Sequence, residues 1–196
     1  MEEKALRNNY LFTLIKFILF LLIFCFLASF SKEFLYQIRL DKALRVEVLL
    51  FSVLSCFAFY AFFVDLDNFY KAIQKFFFHS SFIAMVIPSF LILLGIGYFL
   101  IPRVFELDFD RDVFLFLGGF IVTAHLIFVA RQNRGSNFVD FINYIFIFSI
   151  LYLVNLLLFG VYLNVAFRVD MGAVIVEGFV NGATLIQSLF TQIFQR

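Results

Sequence analysis

Charge is what this sequence has least of. Of its 196 residues, 15% are charged and 64% are apolar, and the mean hydropathy is +1.01. A soluble domain of this length carries about a quarter charged residues and under half apolar ones, and it has no interior large enough to hide such a surplus. The net charge of +1 offers no basic surface for nucleic acid. These scarcities exclude a soluble domain and predict a chain that lies in a lipid bilayer.

Cysteine, tryptophan and catalytic motifs are also scarce or missing. The only two cysteines, Cys25 and Cys56, lie in apolar runs, and two such thiols build neither a disulfide framework nor a metal site. We interpret both as small buried apolar residues. The sequence contains no paired-histidine zinc motif, no GxSxG and no glycine-rich phosphate loop. It therefore favours a non-enzymatic protein with no metal, no cofactor and no catalytic residue that we can name.

Long apolar runs take the place of charge. A membrane-spanning helix needs about 20 mostly apolar residues, and the chain has five such runs and a less apolar sixth. The first run is longer than the apolar part of a signal peptide, and no clear small-x-small cleavage site follows, so we predict a retained helix. The sequence predicts one domain over 1–196, an all-α membrane bundle of five to six transmembrane helices. The predicted spans are about 10–30, 46–64, 80–101, 113–130, 141–167 and 171–194.

Two connecting segments are amphipathic. In Leu66–Phe77, apolar residues recur at helical spacing, while Asp67, Lys71 and Lys75 follow at steps of four on the other side. Phe34–Arg45 has a similar pattern. Each segment fits either a helix that lies flat in the interface or a membrane helix that continues past it. The sequence thus predicts one or two interfacial amphipathic helices.

The orientation depends on a small number of charges. With six spans, the lysines and arginines divide evenly between the two sides of the membrane, so the positive-inside rule gives no preference. The basic cluster after the first span favours an external amino terminus, whereas the acidic segment 106–112 on the same side favours the opposite. We predict a multi-pass protein with both termini in the cytoplasm.

Polar side chains at membrane depth are functional candidates. His125 lies toward the end of the fourth predicted span and has no second histidine or cysteine at ligand spacing, which favours hydrogen-bonded packing over a proton relay. Asn155, in the middle of the fifth run, should bond to another helix. Pro88 interrupts the third run, where it predicts a kink and a released carbonyl at Ala84 that a serine satisfies.

The last predicted helix carries a polar stripe. Its first, third and fifth members are spaced by seven residues, and the other two fall between them at helical steps. Gly178 and Gly182 form a GxxxG pair beside it, and such a pair lets two helices approach closely. The stripe either packs inside its own bundle, or lines a pathway or faces a partner subunit, or lies toward water on a surface helix. The polar stripe consists of Glu177, Asn181, Thr184, Ser188 and Thr191.

These features predict a polytopic membrane protein that is a non-enzymatic subunit of a larger membrane assembly. Almost no mass lies outside the predicted spans, and the last helix carries the GxxxG pair. The alternative is a small oligomeric channel or transporter, in which a ring of Glu177 side chains would favour cations. A third hypothesis is a membrane-embedded enzyme on a lipid-like substrate, which would bring Glu177 and His125 together. The expected partners are the lipid bilayer and other membrane helices, in a homo- or hetero-oligomer, and not nucleic acid.

Overall fold

The computed structural model describes residues 2–40, 44–62, 66–105, 110–132 and 137–194. Within these ranges the chain is all helical and contains no strand, which confirms the predicted all-α class. Helices α4 and α5 occupy what the sequence predicts as a single third span. The helices are α1 (Glu2–Leu40), α2 (Val46–Phe62), α3 (Leu66–Phe77), α4 (Ser81–Val86), α5 (Ser89–Phe105), α6 (Arg111–Gln132), α7 (Phe138–Phe167) and α8 (Met171–Phe194).

Four of these helices are long and apolar enough to cross a membrane, namely α1, α6, α7 and α8. They indicate a membrane protein. Helices α2 and α5 are apolar but have only 17 residues each. At 1.5 Å per residue, 17 residues extend about 26 Å, against about 30 Å for the hydrocarbon core. Helix α8, the least apolar of the predicted spans, is among the four helices long enough to cross. The two helices that are too short by this measure lie in the second and third predicted spans.

The third predicted span is broken rather than kinked. Helix α4 ends at Val86 and α5 begins at Ser89, with Ile87 in an extended conformation before Pro88. Proline lacks the amide proton of a helix, and its ring disfavours helical geometry in the residue before it, so the break falls at this pair. The helix does not stop at residue 101, the predicted end of this span, because α5 continues through Pro102 to Phe105.

Residues 34–40 do not form an interfacial helix separate from α1. Helix α1 continues without a break to Leu40, and Phe34 and Ile38 are buried in the main apolar core. Residues 34–40 therefore continue the helix of the first predicted span, as the second interpretation of the segment Phe34–Arg45 expects. Residues 41–43 lie outside the described ranges. The other amphipathic segment forms a helix of its own, α3, with the predicted bounds.

Helices α6 and α7 form the centre of the bundle. Helix α2 packs along α6, α1 packs against α8 and α7, and α5 packs against both central helices, with α3 and α4 beside it. Helix α2 runs parallel to α6, because the start of α2 meets the start of α6 and the end of α2 meets the end of α6. Arg45 forms an ion pair with Asp112 at one end, and Arg131 lies 5.0 Å from the centre of the Tyr60 ring at the other.

Candidate functional site: the helix break and the polar stripe

The break at Pro88 releases backbone carbonyl groups of α4, because the last carbonyls of a helix have no partner within it. Side chains of the two central helices bind two of them. His125 Nε2 lies 3.1 Å from the Met85 oxygen, and Asn155 Nδ2 lies 3.4 Å from the Val86 oxygen. Asn155 also donates to Leu151 of its own helix, at 2.8 Å. A histidine and an asparagine, rather than the predicted serine, thus fasten α4 to α6 and α7.

The proton positions of His125 follow from its neighbours. Its Nε2 faces a carbonyl oxygen, which only accepts, so Nε2 carries the proton and Nδ1 accepts in the neutral ring. Tyr70 Oη lies 2.9 Å from Nδ1 and therefore donates to it, and Gln74 Nε2 donates to Tyr70 Oη at 3.1 Å. The chain of donors runs from Gln74 through Tyr70 and His125 to Met85. It ends on a backbone carbonyl that passes no proton onward, so the geometry fits hydrogen-bonded packing rather than a relay.

Helix α3 supplies Tyr70 and Gln74, which the sequence did not identify as site residues. Both side chains are buried, whereas Phe69 and Phe76 are exposed. Residues four apart lie on one helix face, so a glutamine one turn after a tyrosine was the available signal. The predicted apolar face is divided, with part of it turned to the bundle and part turned outward. Burial raises the pKa of Tyr70 above its usual value, which keeps the phenol neutral and able to donate.

We call the groups around the break the helix-break site; they are Tyr70, Gln74, Met85, Val86, Ser89, His125 and Asn155. Three buried oxygen atoms of this site have no hydrogen-bond partner within the described ranges. They are Gln74 Oε1, Ser89 Oγ and Asn155 Oδ1. The orientation of the asparagine amide is fixed, because its nitrogen already donates to two carbonyls. The great majority of buried polar atoms in proteins have a hydrogen-bond partner. A water molecule is the simplest group that can bind to such oxygen atoms. No cluster of three or more metal-ligating side chains occurs in the part of the chain that the structure describes.

The polar stripe of α8 lies on the surface of the chain, where all five of its side chains are exposed. The hydroxyl groups of Thr184, Ser188 and Thr191 donate to carbonyls of α8 itself, at 2.8–2.9 Å. The side chains of Glu177 and Asn181 have no hydrogen bond or ion pair to any described residue. The stripe is therefore not packed inside the chain's own bundle, which is the first of the three interpretations. Glu177 and Asn181 are the two members of the stripe whose polar groups remain available to water or to a group beyond the described residues.

The GxxxG pair is used inside the chain. Gly178 and Gly182 are buried against α1, where a Cβ on Gly178 would lie 2.9 Å from the Phe30 ring. A Cβ on Gly182 would lie 2.5 Å from the Phe26 ring and 3.3 Å from the Phe26 Cα. The missing side chains therefore let α1 and α8 approach closely. Since the glycines face α1, the stripe beside them is left free on another face of the same helix.

The structure does not bring Glu177 and His125 into one site. The polar partners of His125 are Tyr70, Gln74 and the Met85 carbonyl, all on α3 and α4. Glu177 is exposed on α8, which packs mainly against α1. A shared active site would need both side chains to face one cavity, and they do not.

Comparison of the chain with protein-family models, with curated proteins and with solved structures finds no match in any of the three. No relative therefore assigns a role to any of its residues. A function has to be argued from the chemistry of the helix-break site and of the polar stripe.

Proposed function

We propose that this chain is a non-enzymatic subunit of a larger membrane assembly, and that the polar stripe of α8 contacts a helix of a neighbouring subunit. One observation carries the proposal. Helix α8 is long and apolar enough to cross a membrane, yet it exposes Glu177 and Asn181 without a partner among the described residues. A charged side chain costs about 2.5–3.5 kcal/mol at the centre of a spanning helix. A neighbouring helix that offers hydrogen-bond donors removes much of that cost.

We propose in addition that the bundle has six crossings, with α2 as the second and α4 and α5 together as the third. The support for α2 is that its two ends meet the two ends of α6, which is long enough to span. The support for the third crossing is that residues 81–105 together exceed the length of α6. Helix α3 then lies in the interface with Lys71 and Lys75 toward water, and an even number of crossings puts both termini on one side, proposed to be the cytoplasm.

The mass of the particle in mild detergent tests the assembly. The wild-type chain should purify in a particle larger than one copy, and Glu177→Leu with Asn181→Leu should release a folded monomer, because both side chains are exposed and support nothing inside the chain. The matched control is Val176→Leu with Ala183→Leu, which changes two exposed residues on another face of α8 and should leave the particle intact. A wild-type monomer in the mildest detergents, or equal release by both pairs, contradicts the proposal.

A small oligomeric channel is the second candidate, and the unpartnered carboxylate of Glu177 favours it. Copies arranged around an axis with α8 inward would form a ring of carboxylates, which attracts cations. Cation flux into liposomes that contain the purified chain should then fall sharply with Glu177→Gln. Ser188→Ala is the control, since that hydroxyl already donates to the Leu185 carbonyl. Flux that is unchanged by Glu177→Gln, or an absence of flux in the wild type, removes this candidate.

A further inference from the structure

A lateral groove separates α1 from α2. Helix α1 packs on α8 and α7 while α2 packs on α6, so the two walls diverge and the central helices form the floor. The resulting cavity has a volume of about 470 Å³ and is lined by residues of α1, α2, α6 and α7. A second cavity of about 360 Å³ lies between α1 and α7 and shares Ser31, Phe148 and Tyr152 with the first.

Among the described residues that line it, the groove offers no free polar side chain to an occupant. Three polar side chains line the larger cavity, and all three are already bonded. Ser31 Oγ and Tyr152 Oη lie 3.1 Å apart, and Thr123 Oγ1 donates to the Gly119 carbonyl at 2.7 Å. The other lining residues are aliphatic or phenylalanine, apart from one glycine. A polar ligand would lose its hydrogen bonds to water here and gain none, so the occupant must be hydrocarbon.

We propose that this groove binds one acyl chain of a surrounding phospholipid. Three of the four helices that line it are among those able to cross a membrane, so the groove lies at the depth of the lipid tails. At about 30 Å³ for a group the size of a water molecule, the cavity holds roughly 15 such groups, which matches one chain. A helix about 10 Å wide along the same stretch of α6 would occupy roughly 1,200 Å³, more than twice the space. The enclosed volume of the groove therefore matches a lipid tail, whereas a partner helix would lie mostly outside it.

Quenching by brominated lipid tests this directly, because the chain has no tryptophan of its own. We place a single reporter on the floor with Phe148→Trp, and the protein is reconstituted in vesicles of phosphatidylcholine brominated in mid-chain. Leu54→Trp, on the exposed outer face of α2, provides the fully lipid-exposed reference. Phe128→Trp, in a buried cluster, provides the protected reference. The floor reporter should lose nearly as large a fraction of its fluorescence as position 54.

A second pair of variants shows whether the lipid tail enters the groove itself. Val53→Phe places a larger side chain on the groove wall and should move the quenching of the floor reporter toward the buried reference, whereas Leu54→Phe next to it should not. Leu156→Trp, also in the lining, replaces the reporter at 148 if that variant does not fold. Quenching equal to the buried reference, or quenching insensitive to Val53→Phe, overturns the proposal. Either result leaves the assembly through α8 untouched, since the groove and the stripe share no residue.

Discussion

Replacement of His125 by leucine tests the helix-break site most severely. The imidazole joins three helices, because it bonds Tyr70 of α3 and the Met85 carbonyl of α4 from its own position on α6. Interhelical hydrogen bonds inside membrane proteins contribute about 0.6 kcal/mol on average and up to about 1.7 kcal/mol. The loss of two such bonds should lower the free energy of unfolding by about 1–3 kcal/mol. Leucine fills much of the same volume, so a cavity contributes little to this value.

Reversible unfolding in mixed micelles, with denaturing detergent as the titrant, measures the difference. Thr123→Val is the matched control two residues earlier, because that hydroxyl bonds only to the Gly119 carbonyl of its own helix, and we expect a change near zero. Tyr70→Phe removes one bond that His125→Leu also removes, so the double variant should lose less than the sum of the two single losses. Additive losses, or a loss for His125→Leu no larger than for the control, would refute the hydrogen-bond chain.

Two further predictions concern helix packing and surface charge. Gly182→Val forces a side chain into Phe26 and should destabilise the α1–α8 contact by about 1–3 kcal/mol. The control is Ala183→Val, which changes an exposed residue and should alter the stability little. Equal effects of the two variants would contradict this contact. Arg45 is 65% exposed in its ion pair with Asp112, so Arg45→Gln should cost at most about 1 kcal/mol. That loss should shrink in high salt, and a larger loss that salt does not change would count against the pairing.

The sequence predicts those elements whose signal is local. The helix Leu66–Phe77 has its predicted bounds, because its amphipathic pattern depends only on its own residues. Pro88 correctly predicts where the third span is interrupted. Whether the interruption is a kink or a full break depends on residues elsewhere in the chain. A full break requires other groups to bind the released carbonyls, and His125 and Asn155 supply them from 40 and 69 residues away. Such pairings are set by packing and leave no mark in a single sequence.

The polar stripe illustrates the same limit. Helical spacing alone identifies which residues of α8 share a face, but not what that face meets. The direction of the helix is set by Gly178 and Gly182, whose missing side chains admit α1, and the stripe is then left on the outside. Tyr70 and Gln74 were missed because a tyrosine on an amphipathic helix is equally compatible with a membrane interface, and only tertiary contacts place these two residues against His125.

The most direct test of the central claim is a photocrosslinking scan of α8 in native membranes. A photoreactive amino acid is placed in turn on the stripe, at Asn181 and Thr184, and on another exposed face, at Val176 and Ala183. If α8 contacts a neighbouring subunit, the two stripe positions should yield a crosslinked protein of discrete mass, and the other two should yield only lipid adducts. Lipid adducts alone from the stripe, or the same protein adduct from both faces, would contradict the account.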